Sequence, residues 1–139
     1  EKLEKNKIIS QILLTSNTLS SSKIISNLRL KKTIHQFFPI DTNYHTQKFL
    51  NYWKPSVVIF IDSEVWPNMI TNVKKKSISL ILLNARITKK SFKRWKIFSS
   101  SAKKLFEKFD VCFSSSLQSK KYLKSLGVNK IKNIGNLKF

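Results

Sequence analysis

Cysteine is almost absent from this sequence of 139 residues, and a single cysteine excludes any disulfide within the chain. A chain without disulfides fits a reducing compartment. Cys112 lies in the apolar stretch 109–113, where a lone cysteine is usually a buried small hydrophobic residue. The sequence therefore predicts a core position for Cys112 and not a catalytic thiol.

Long hydrophobic runs and glycine are also scarce. No apolar run approaches the roughly 20 residues that a membrane-spanning helix needs, and residues 1–10 lack the apolar core of a signal peptide. With only two glycines, the chain has no Gly-rich loop of the dinucleotide-binding or P-loop type. We therefore expect any nucleotide to be bound elsewhere.

Acidic residues are few: seven Asp and Glu stand against 27 Lys and Arg, which gives a formal net charge of +20. A basic surface attracts phosphate-rich partners such as nucleic acid, anionic lipid headgroups or phosphorylated sugars. However, most of these cations are Lys, and Ile, Asn and Ser are abundant, as an AT-rich genome would dictate on any solvated surface. Two interpretations stay open, a functional basic face and compositional drift.

Short apolar runs alternate with longer segments of helical periodicity along the whole chain. The runs have the length and the β-branched or aromatic content of strands, and they lie at 11–15, 34–38, 57–61, 78–83, 111–114 and 130–134. The segments with helical spacing lie at 20–28, 46–53, 66–75, 91–108 and 117–126. This alternation predicts one α/β domain over 1–139, with a Rossmann-like, mostly parallel sheet and helices on both faces.

Polar residues follow each predicted strand. In an open α/β sheet, ligands bind at the carboxyl ends of the strands, so these residues are candidates for a binding site. Hydroxyls, amides, acids and one Arg suit a polyhydroxylated or phosphorylated ligand. The turn after the third strand, IDSEVWPN at 61–68, is the densest of these clusters. Asp62 or Ser63 can cap a helix that starts near Glu64, but two acids, an aromatic residue and Pro-Asn are more than capping requires.

Read whole, this turn resembles the Glu-Ser/Thr-Glu-Leu-Trp-Pro-Asn motif of the 3-deoxy-D-manno-octulosonic acid (Kdo) transferases, which add Kdo to lipid A precursors. Five further segments are similar to motifs of that family, in the same order. They are LLTSNT at 13–18, HQFFPID at 35–41, WKP at 53–55, NAR at 84–86 with SFKRW at 91–95, and GNLKF at 135–139. The resemblance therefore covers the whole chain.

The resemblance implies a GT-B glycosyltransferase, in which two Rossmann-like domains face each other across a cleft. In this family the N-terminal domain mainly holds the acceptor, and the C-terminal domain mainly holds the donor, CMP-Kdo. We therefore expect residues 1–139 to be an incomplete N-terminal acceptor domain. The donor-binding domain, the general base (a Glu expected upstream of residue 1) and any membrane anchor would lie outside this sequence, and the fragment alone is expected to be inactive.

The resemblance also implies roles for the strand-end residues. Glu64 and Arg86 are the candidate catalytic residues, Glu64 as a carboxylate that orients substrate hydroxyls and Arg86 as a planar fork for a phosphate or a sugar carboxylate. The candidate substrate-binding residues are Thr15, Ser16, Thr18, Asp62, Ser63, Asn84, Asn136 and Lys138. Alternatives stay open: an ion pair for Arg86 with Asp62 or Glu64, a plain N-cap for Thr18, and a solvated strand end for Lys138. We expect no metal, and no cofactor besides the donor substrate CMP-Kdo.

A basic helix is predicted at 89–98, where aromatic and aliphatic residues are interleaved with cations. This pattern is typical of an interfacial helix that lies on anionic headgroups. The candidate membrane or acceptor surface consists of Lys89, Lys90, Lys93, Arg94 and Trp95. The expected partners are then CMP-Kdo, a lipid A precursor and the cytoplasmic face of an anionic inner membrane. The alternative is a helix that packs its aromatic side chains into the core.

Two other function classes compete with the transferase. A nucleic-acid-binding module is favoured by the charge and the aromatic residues, but the sequence has no RNA-recognition signature, no zinc pattern and no clear recognition helix, so we expect no nucleic-acid partner. The other class is a non-catalytic α/β domain that binds a sugar phosphate.

Overall fold

Residues 3–28 and 30–137 are described by the computed structural model. The chain divides into two units, Glu1–Ile40 and Asp41–Phe139, and each is described by itself. The first unit is a β-α-β element that contains β1 (Ile12–Ser16), α1 (Leu19–Asn27) and β2 (Thr33–Phe37). β1 and β2 pair in parallel, with Ser16 opposite Phe37 at the carboxyl end.

An acid near the start of the first unit joins two segments of the backbone. The Glu4 carboxylate accepts hydrogen bonds from the Thr33 hydroxyl at 2.7 Å and from the backbone N–H groups of Lys31 and Lys32 at 3.1 and 2.9 Å. These bonds, that of Thr33 first, lower the pKa of Glu4 below its usual value. The segment before β1 is thereby fastened to the beginning of β2.

The second unit is a four-stranded parallel sheet with five helices in its described part, and its strand order is β3-β4-β5-β6. Its elements are α2 (Asn43–Trp53), β3 (Val57–Ile61), α3 (Pro67–Lys75), β4 (Ser79–Ala85), α4 (Lys89–Ile97), α5 (Ser99–Phe106), β5 (Val111–Ser114), α6 (Leu117–Ser125) and β6 (Ile131–Asn133). The search of the described residues found no helix with the length and apolar character needed to span a bilayer.

The core of the second unit surrounds its two central strands, β4 and β5. Leu80 of β4 and Cys112 of β5 are fully buried, together with Ile70 of α3, Phe106 of α5 and Leu123 of α6. Burial raises the pKa of the Cys112 thiol to about 12, so it stays protonated at neutral pH. The prediction that Cys112 is a core residue and not a nucleophile is thus confirmed.

Proline and left-handed residues define several helix boundaries of the second unit. Lys54 has a left-handed backbone, with φ of 43°, and stops α2 immediately before Pro55. Pro67 occupies the first turn of α3, where a missing N–H costs nothing. Gly127 follows α6 with φ of 101°, and a Cβ there would meet Cγ of Lys103 at 2.8 Å, so only glycine fits.

The predicted α/β class with parallel strands is confirmed, and the strands at 57–61 and 111–114 have the predicted bounds. The strands of the first unit pair as a two-stranded sheet, and those of the second unit pair as a four-stranded sheet. β3 is the first strand of the four-stranded sheet, and its Val57, Ile59 and Ile61 side chains are nearly half exposed.

The segment of helical spacing at 91–108 contains most of α4 and all of α5, and the basic helix predicted at 89–98 corresponds to α4. Phe98 separates the two helices with φ of −109° and ψ of 49°, outside the helical region. Three serines follow at 99–101, and serine competes with helical hydrogen bonding in helix interiors. Hydrophobic periodicity continued across this break, so it could not reveal the change of direction.

Candidate functional site

Two left-handed residues on neighbouring strands form the centre of the candidate site. Asp62 follows β3 with φ of 62°, and Asn84 near the end of β4 has φ of 53°. Asn84 Nδ2 donates a hydrogen bond to Asp62 Oδ1, and the Asp62 N–H donates to the Leu83 carbonyl at 3.0 Å. Asp and Asn tolerate the left-handed region better than other side chains do. The two strand ends are therefore held together by a pair of short polar side chains.

The same asparagine also binds the loop that follows β6. Its Oδ1 accepts a hydrogen bond from the Leu137 N–H at 3.1 Å. Asn84 is 4% exposed, and both its Nδ2 and its Oδ1 are hydrogen-bonded inside the protein. Because one partner is an acceptor and the other is a donor, the orientation of the amide is defined. The candidate Asn136 is exposed in this loop, next to Leu137. Lys138, another candidate, lies outside the described residues.

Ser63 and Arg86 make a second connection between β3 and β4. The Ser63 hydroxyl donates to the Arg86 carbonyl at 2.6 Å, and the Arg86 N–H donates to the Asp62 carbonyl at 3.4 Å. The Arg86 side chain is exposed. Both interpretations of Arg86, a substrate contact and an ion pair with Asp62 or Glu64, stay predictions.

Glu64 is an exposed carboxylate held by one aromatic neighbour. Trp66 Nε1 donates a hydrogen bond of 2.6 Å to Glu64 Oε2, and the Glu64 N–H lies 3.4 Å from the Ile61 carbonyl. The residues of the turn at 61–68 thus orient one another. Asp62, Ser63 and Glu64 are brought together with Asn84 and Arg86 at the carboxyl ends of β3 and β4, as the sequence predicts.

The helix-capping alternative for this turn was wrong, because another acid caps α3. The helix begins at Pro67, and Asp41 accepts hydrogen bonds from the backbone N–H groups of Asn68 and Met69 at 3.1 and 2.8 Å. Asn68 Nδ2 donates in return to the Asp41 carbonyl at 2.7 Å. Sequence reasoning missed this role, although Asp41 and Asn68 each close one of the motifs that carry the resemblance.

The remaining substrate-binding candidates lie in the first unit. Thr18 caps α1 by accepting a hydrogen bond from the Ser21 N–H at 3.2 Å, which confirms the plain N-cap alternative. Ser16 Oγ lies 2.8 Å from Nε2 of His35, a contact that sequence reasoning missed. Thr15 is half buried in β1. A substrate role for these three candidates stays a prediction.

The basic helix α4 turns two of its aromatic side chains toward the protein. The Phe92 ring stacks on Tyr122 of α6 at 4.3 Å, and Trp95 meets Phe106 of α5 edge to face at 5.2 Å. Trp95 therefore does not belong to an exposed basic surface, and the core-packing alternative is correct for it. Lys89, Lys90, Lys93 and Arg94 are exposed, as expected.

Two shallow cavities lie near the amino-terminal ends of β3 and β4, opposite the ends that carry the candidate residues. Their volumes are about 300 and 430 Å³, and they are lined by residues of α2 and α3 and by Pro55 and Ile78, which precede β3 and β4. None of the candidates lines either cavity. Within the described ranges, no three His, Cys, Asp or Glu side chains come together as a metal centre would require.

Comparison with known proteins agrees with the six sequence motifs. The family model for 3-deoxy-D-manno-octulosonic-acid transferase (kdotransferase) matches residues 1–139. The 3-deoxy-D-manno-octulosonic acid transferases of Rickettsia typhi and Rickettsia prowazekii are 44% and 43% identical over 132 residues, which are 93% of this chain and 28% of each relative. A probable mitochondrial 3-deoxy-D-manno-octulosonic acid transferase of Arabidopsis thaliana is 44% identical over 84 residues, 60% of this chain and 19% of that protein.

The chain thus spans 28% of the length of the Rickettsia typhi relative. The family model matches residues 1–139 of this chain. The matched stretch includes both sides of the Asp62–Asn84 pair and the loop that reaches it from β6. The chain belongs to the 3-deoxy-D-manno-octulosonic acid transferase family.

Proposed function

We propose that this chain is part of a glycosyltransferase that moves Kdo from CMP-Kdo to a lipid A precursor in lipopolysaccharide biosynthesis. The observation that carries the proposal is the match of the family model across residues 1–139. The acceptor is a lipid, so the proposed location is the cytoplasmic face of the inner membrane of a Gram-negative cell.

The reaction sets three chemical requirements. A hydroxyl of the acceptor attacks the anomeric carbon of Kdo while the bond to the CMP phosphate breaks. The hydroxyl must lose a proton to a general base, the positive charge that develops at the anomeric carbon is stabilised by a nearby carboxylate, and the departing phosphate needs hydrogen-bond donors or cations. The residues at the carboxyl ends of β3 and β4 are suited to the second and third requirements.

Glu64 is the proposed carboxylate. Trp66 binds only its Oε2, and Oε1 makes no hydrogen bond to the described residues. An exposed carboxylate with one oxygen already oriented can accept from sugar hydroxyls with little loss of side-chain freedom. Its proposed role is therefore to orient the acceptor or the donor.

Arg86 is the proposed cation. Its side chain is exposed, its backbone N–H donates to the Asp62 carbonyl, and its carbonyl accepts from the Ser63 hydroxyl. A guanidinium whose base is held in this way can form a bidentate contact with phosphate or with the Kdo carboxylate. Asp62 and Asn84 have a different proposed role, because their side chains bind each other: they position the turn that carries Glu64.

The test is a Kdo-transfer assay on the complete gene product that carries this chain, with CMP-Kdo and a tetraacylated, bisphosphorylated lipid A precursor. We expect Glu64→Gln and Arg86→Ala each to lower kcat/KM by about 100-fold or more, as removal of one electrostatic contact to a transition state does. Glu64→Gln preserves an acceptor for Trp66, so the turn should keep its structure.

Two substitutions at the C-terminal end of α5 serve as controls for the assay. Glu107→Gln and Lys104→Ala change the same charges at exposed positions away from the strand ends, and they should leave kcat/KM unchanged. Far-UV circular dichroism and thermal unfolding verify that each variant folds. A wild-type protein that does not transfer Kdo but binds RNA in a salt-dependent way, or binds a sugar phosphate without turnover, would overturn the proposal in favour of one of the other two function classes.

A further inference from the structure

The chain makes an abrupt turn between α4 and α5, here called the α4–α5 corner and defined as residues 93–98. Phe98 is at once the C-cap of α4 and the N-cap of α5. Its N–H donates to the Trp95 carbonyl at 3.2 Å, and its carbonyl accepts from the Ala102 N–H at 2.8 Å. The backbone of the turn is therefore hydrogen-bonded on both sides, and the corner is a defined structure.

The two apolar side chains at this corner are left in solvent. Ile97 is 74% exposed and Phe98 is 69% exposed. This exposure does not arise from an undocked helix, because Phe92 and Trp95 of the same helix pack on α6 and α5. The apolar residues that hold α4 to the protein and those that face solvent are thus different residues.

The sequence on both sides of these two residues is rich in cations and contains no acidic residue. The segment 86–106 contains eight Lys and Arg and no Asp or Glu. Among the described residues, the one ion pair that this segment makes is Lys103–Glu107, at 3.8 Å. Lys93, Arg94 and Lys96 at the corner are all exposed. The local charge is therefore positive and uncompensated by the protein.

An exposed apolar pair with exposed cations next to it in the sequence fits the interface of an anionic bilayer. The cations attract acidic headgroups, and the apolar side chains gain free energy when they leave water for the acyl boundary. Nucleic acid would fit less well, because single strands bind by stacking on successive aromatic faces. The Phe92 and Trp95 rings are engaged inside the protein, so Phe98 is the one exposed ring within residues 89–98. Its neighbour Ile97 offers no aromatic face.

We infer that the α4–α5 corner is the surface by which this protein meets a membrane, with Ile97 and Phe98 entering the interface of an anionic lipid bilayer and Lys93, Arg94 and Lys96 contacting its headgroups. The inference extends the proposed function, which requires a lipid acceptor, by identifying the contact surface. Trp95 has no part in it, in contrast to the expectation from the sequence.

The experiment measures insertion at the corner itself, so that any other membrane-binding segment does not confuse it. Phe98→Cys in the complete gene product is labelled with an environment-sensitive fluorophore, since the native Cys112 is buried and its thiol is protonated. The labelled protein is mixed with vesicles of phosphatidylcholine alone or with added phosphatidylglycerol. Ile24→Cys, at an exposed apolar position of α1, carries the label in the control.

We expect a blue shift and protection from an aqueous quencher at position 98 with the anionic vesicles only, and no change at position 24. Ile97→Ser/Phe98→Ser should weaken vesicle binding about tenfold or more in a protein without another anchor, because two apolar side chains leave the interface. Lys93→Gln/Arg94→Gln should weaken vesicle binding as well. The control Lys75→Gln/Lys76→Gln, which removes the same charge at the end of α3, should not weaken it. A label at position 98 that stays in water with every vesicle, or responds to RNA instead, overturns the inference.

The outcome is separable from that of the proposed function. With the acceptor dissolved in detergent micelles, Ile97→Ser/Phe98→Ser should transfer Kdo at the wild-type rate. Insertion at position 98 in a protein that transfers no Kdo would contradict the proposed function and support the membrane contact. Kdo transfer without insertion at position 98 would support the proposed function and contradict the membrane contact.

Discussion

The turn after β3 and the α4–α5 corner are both polar and exposed, but their charges are organised in opposite ways. In the turn, Asp62 is bound by Asn84, and Glu64 is bound by Trp66. At the corner, none of the cations at 93–96 has an acidic partner among the described residues. Charged groups of the turn therefore define a local structure. At the corner, Lys96 lies over the Phe92 ring, 5.9 Å from its centroid, whereas Lys93 and Arg94 are exposed and available to a partner outside the protein.

The contrast extends to the acids and bases of the whole described chain. Every acidic side chain in the described ranges has a hydrogen-bond or ion-pair partner, and these acids are Glu4, Asp41, Asp62, Glu64, Glu107 and Asp110. The ion pairs among described residues engage two of the many lysines, Lys74 and Lys103. In so basic a sequence, an acid is thus the better indicator of a specific contact.

The largest effect that would test this contrast is expected at Asn84. Asn84→Ala removes both buried amide contacts and places an alanine at φ of 53°, so the free energy of unfolding should fall by about 2–4 kcal/mol. Urea denaturation measures it. Asn84→Gly, which tolerates the left-handed backbone, should lose less, and Asn51→Ala on the exposed face of α2 should lose almost nothing. Equal losses for all three would show that the pair does not organise the turn.

A smaller loss is expected at the acid that caps α3. Asp41→Ala removes the acceptor for the N–H groups of Asn68 and Met69, and should lower the free energy of unfolding by about 1–2 kcal/mol. Thermal unfolding is a suitable measurement. Glu107→Gln, which breaks a single exposed ion pair, is the matched acid and should change stability by less than about 0.5 kcal/mol. An equal change in both variants would contradict the capping role.

A still smaller effect is expected from Asp110, and it depends on pH. Burial by itself would raise the pKa of Asp110, but hydrogen bonds from Lys74 Nζ and the Leu80 N–H lower it below its usual value. A carboxyl with a lowered folded-state pKa stabilises the protein above its unfolded pKa, near 3.9, and the contribution is lost as pH falls through the folded value. The side chain is half exposed, so the effect is less than about 1 kcal/mol.

The measurement compares wild type with Asp110→Asn in urea denaturation at a series of pH values. The difference in stability should be present at neutral pH and should shrink as pH falls below about 4. A difference that is constant with pH would mean that the carboxylate charge is not responsible.

The smallest effect on stability is expected at the α4–α5 corner. Lys93→Gln/Arg94→Gln should change the free energy of unfolding by less than about 0.5 kcal/mol, since these side chains have no ion-pair partner within the described ranges. The same variant should bind anionic vesicles more weakly. A large loss of stability would show that the corner, like the turn, is held by its charges.

Much of the fold could be predicted from the sequence, because strand and helix periodicity are local. Strands β3 and β5 have the expected bounds, and Pro67 and Gly127 act at helix ends through their own backbone properties. The gathering of Asp62, Glu64, Asn84 and Arg86 was also predictable, because parallel strands present their carboxyl ends at one edge.

Contacts between distant residues were not predictable in the same way. Asp41 caps α3 across 27 residues of sequence, and Asn84 reaches the Leu137 N–H across 53. The sequence favoured Asp62 or Ser63 as the cap because both are close to the helix, but proximity in the chain does not determine which carboxylate faces the free N–H groups. Trp95 was misassigned for a similar reason, since its partner Phe106 lies on another helix.

By itself, the sequence determined the family, the α/β class and the edge at which the candidate residues collect, because motif order, hydrophobic period and strand direction are properties of short stretches. Only the tertiary structure decided which acid caps a helix, which asparagine joins three strand ends, and which apolar residues of α4 are packed or exposed. Each of these depends on the direction in which a side chain points when distant segments meet, and periodicity along the chain carries no such information.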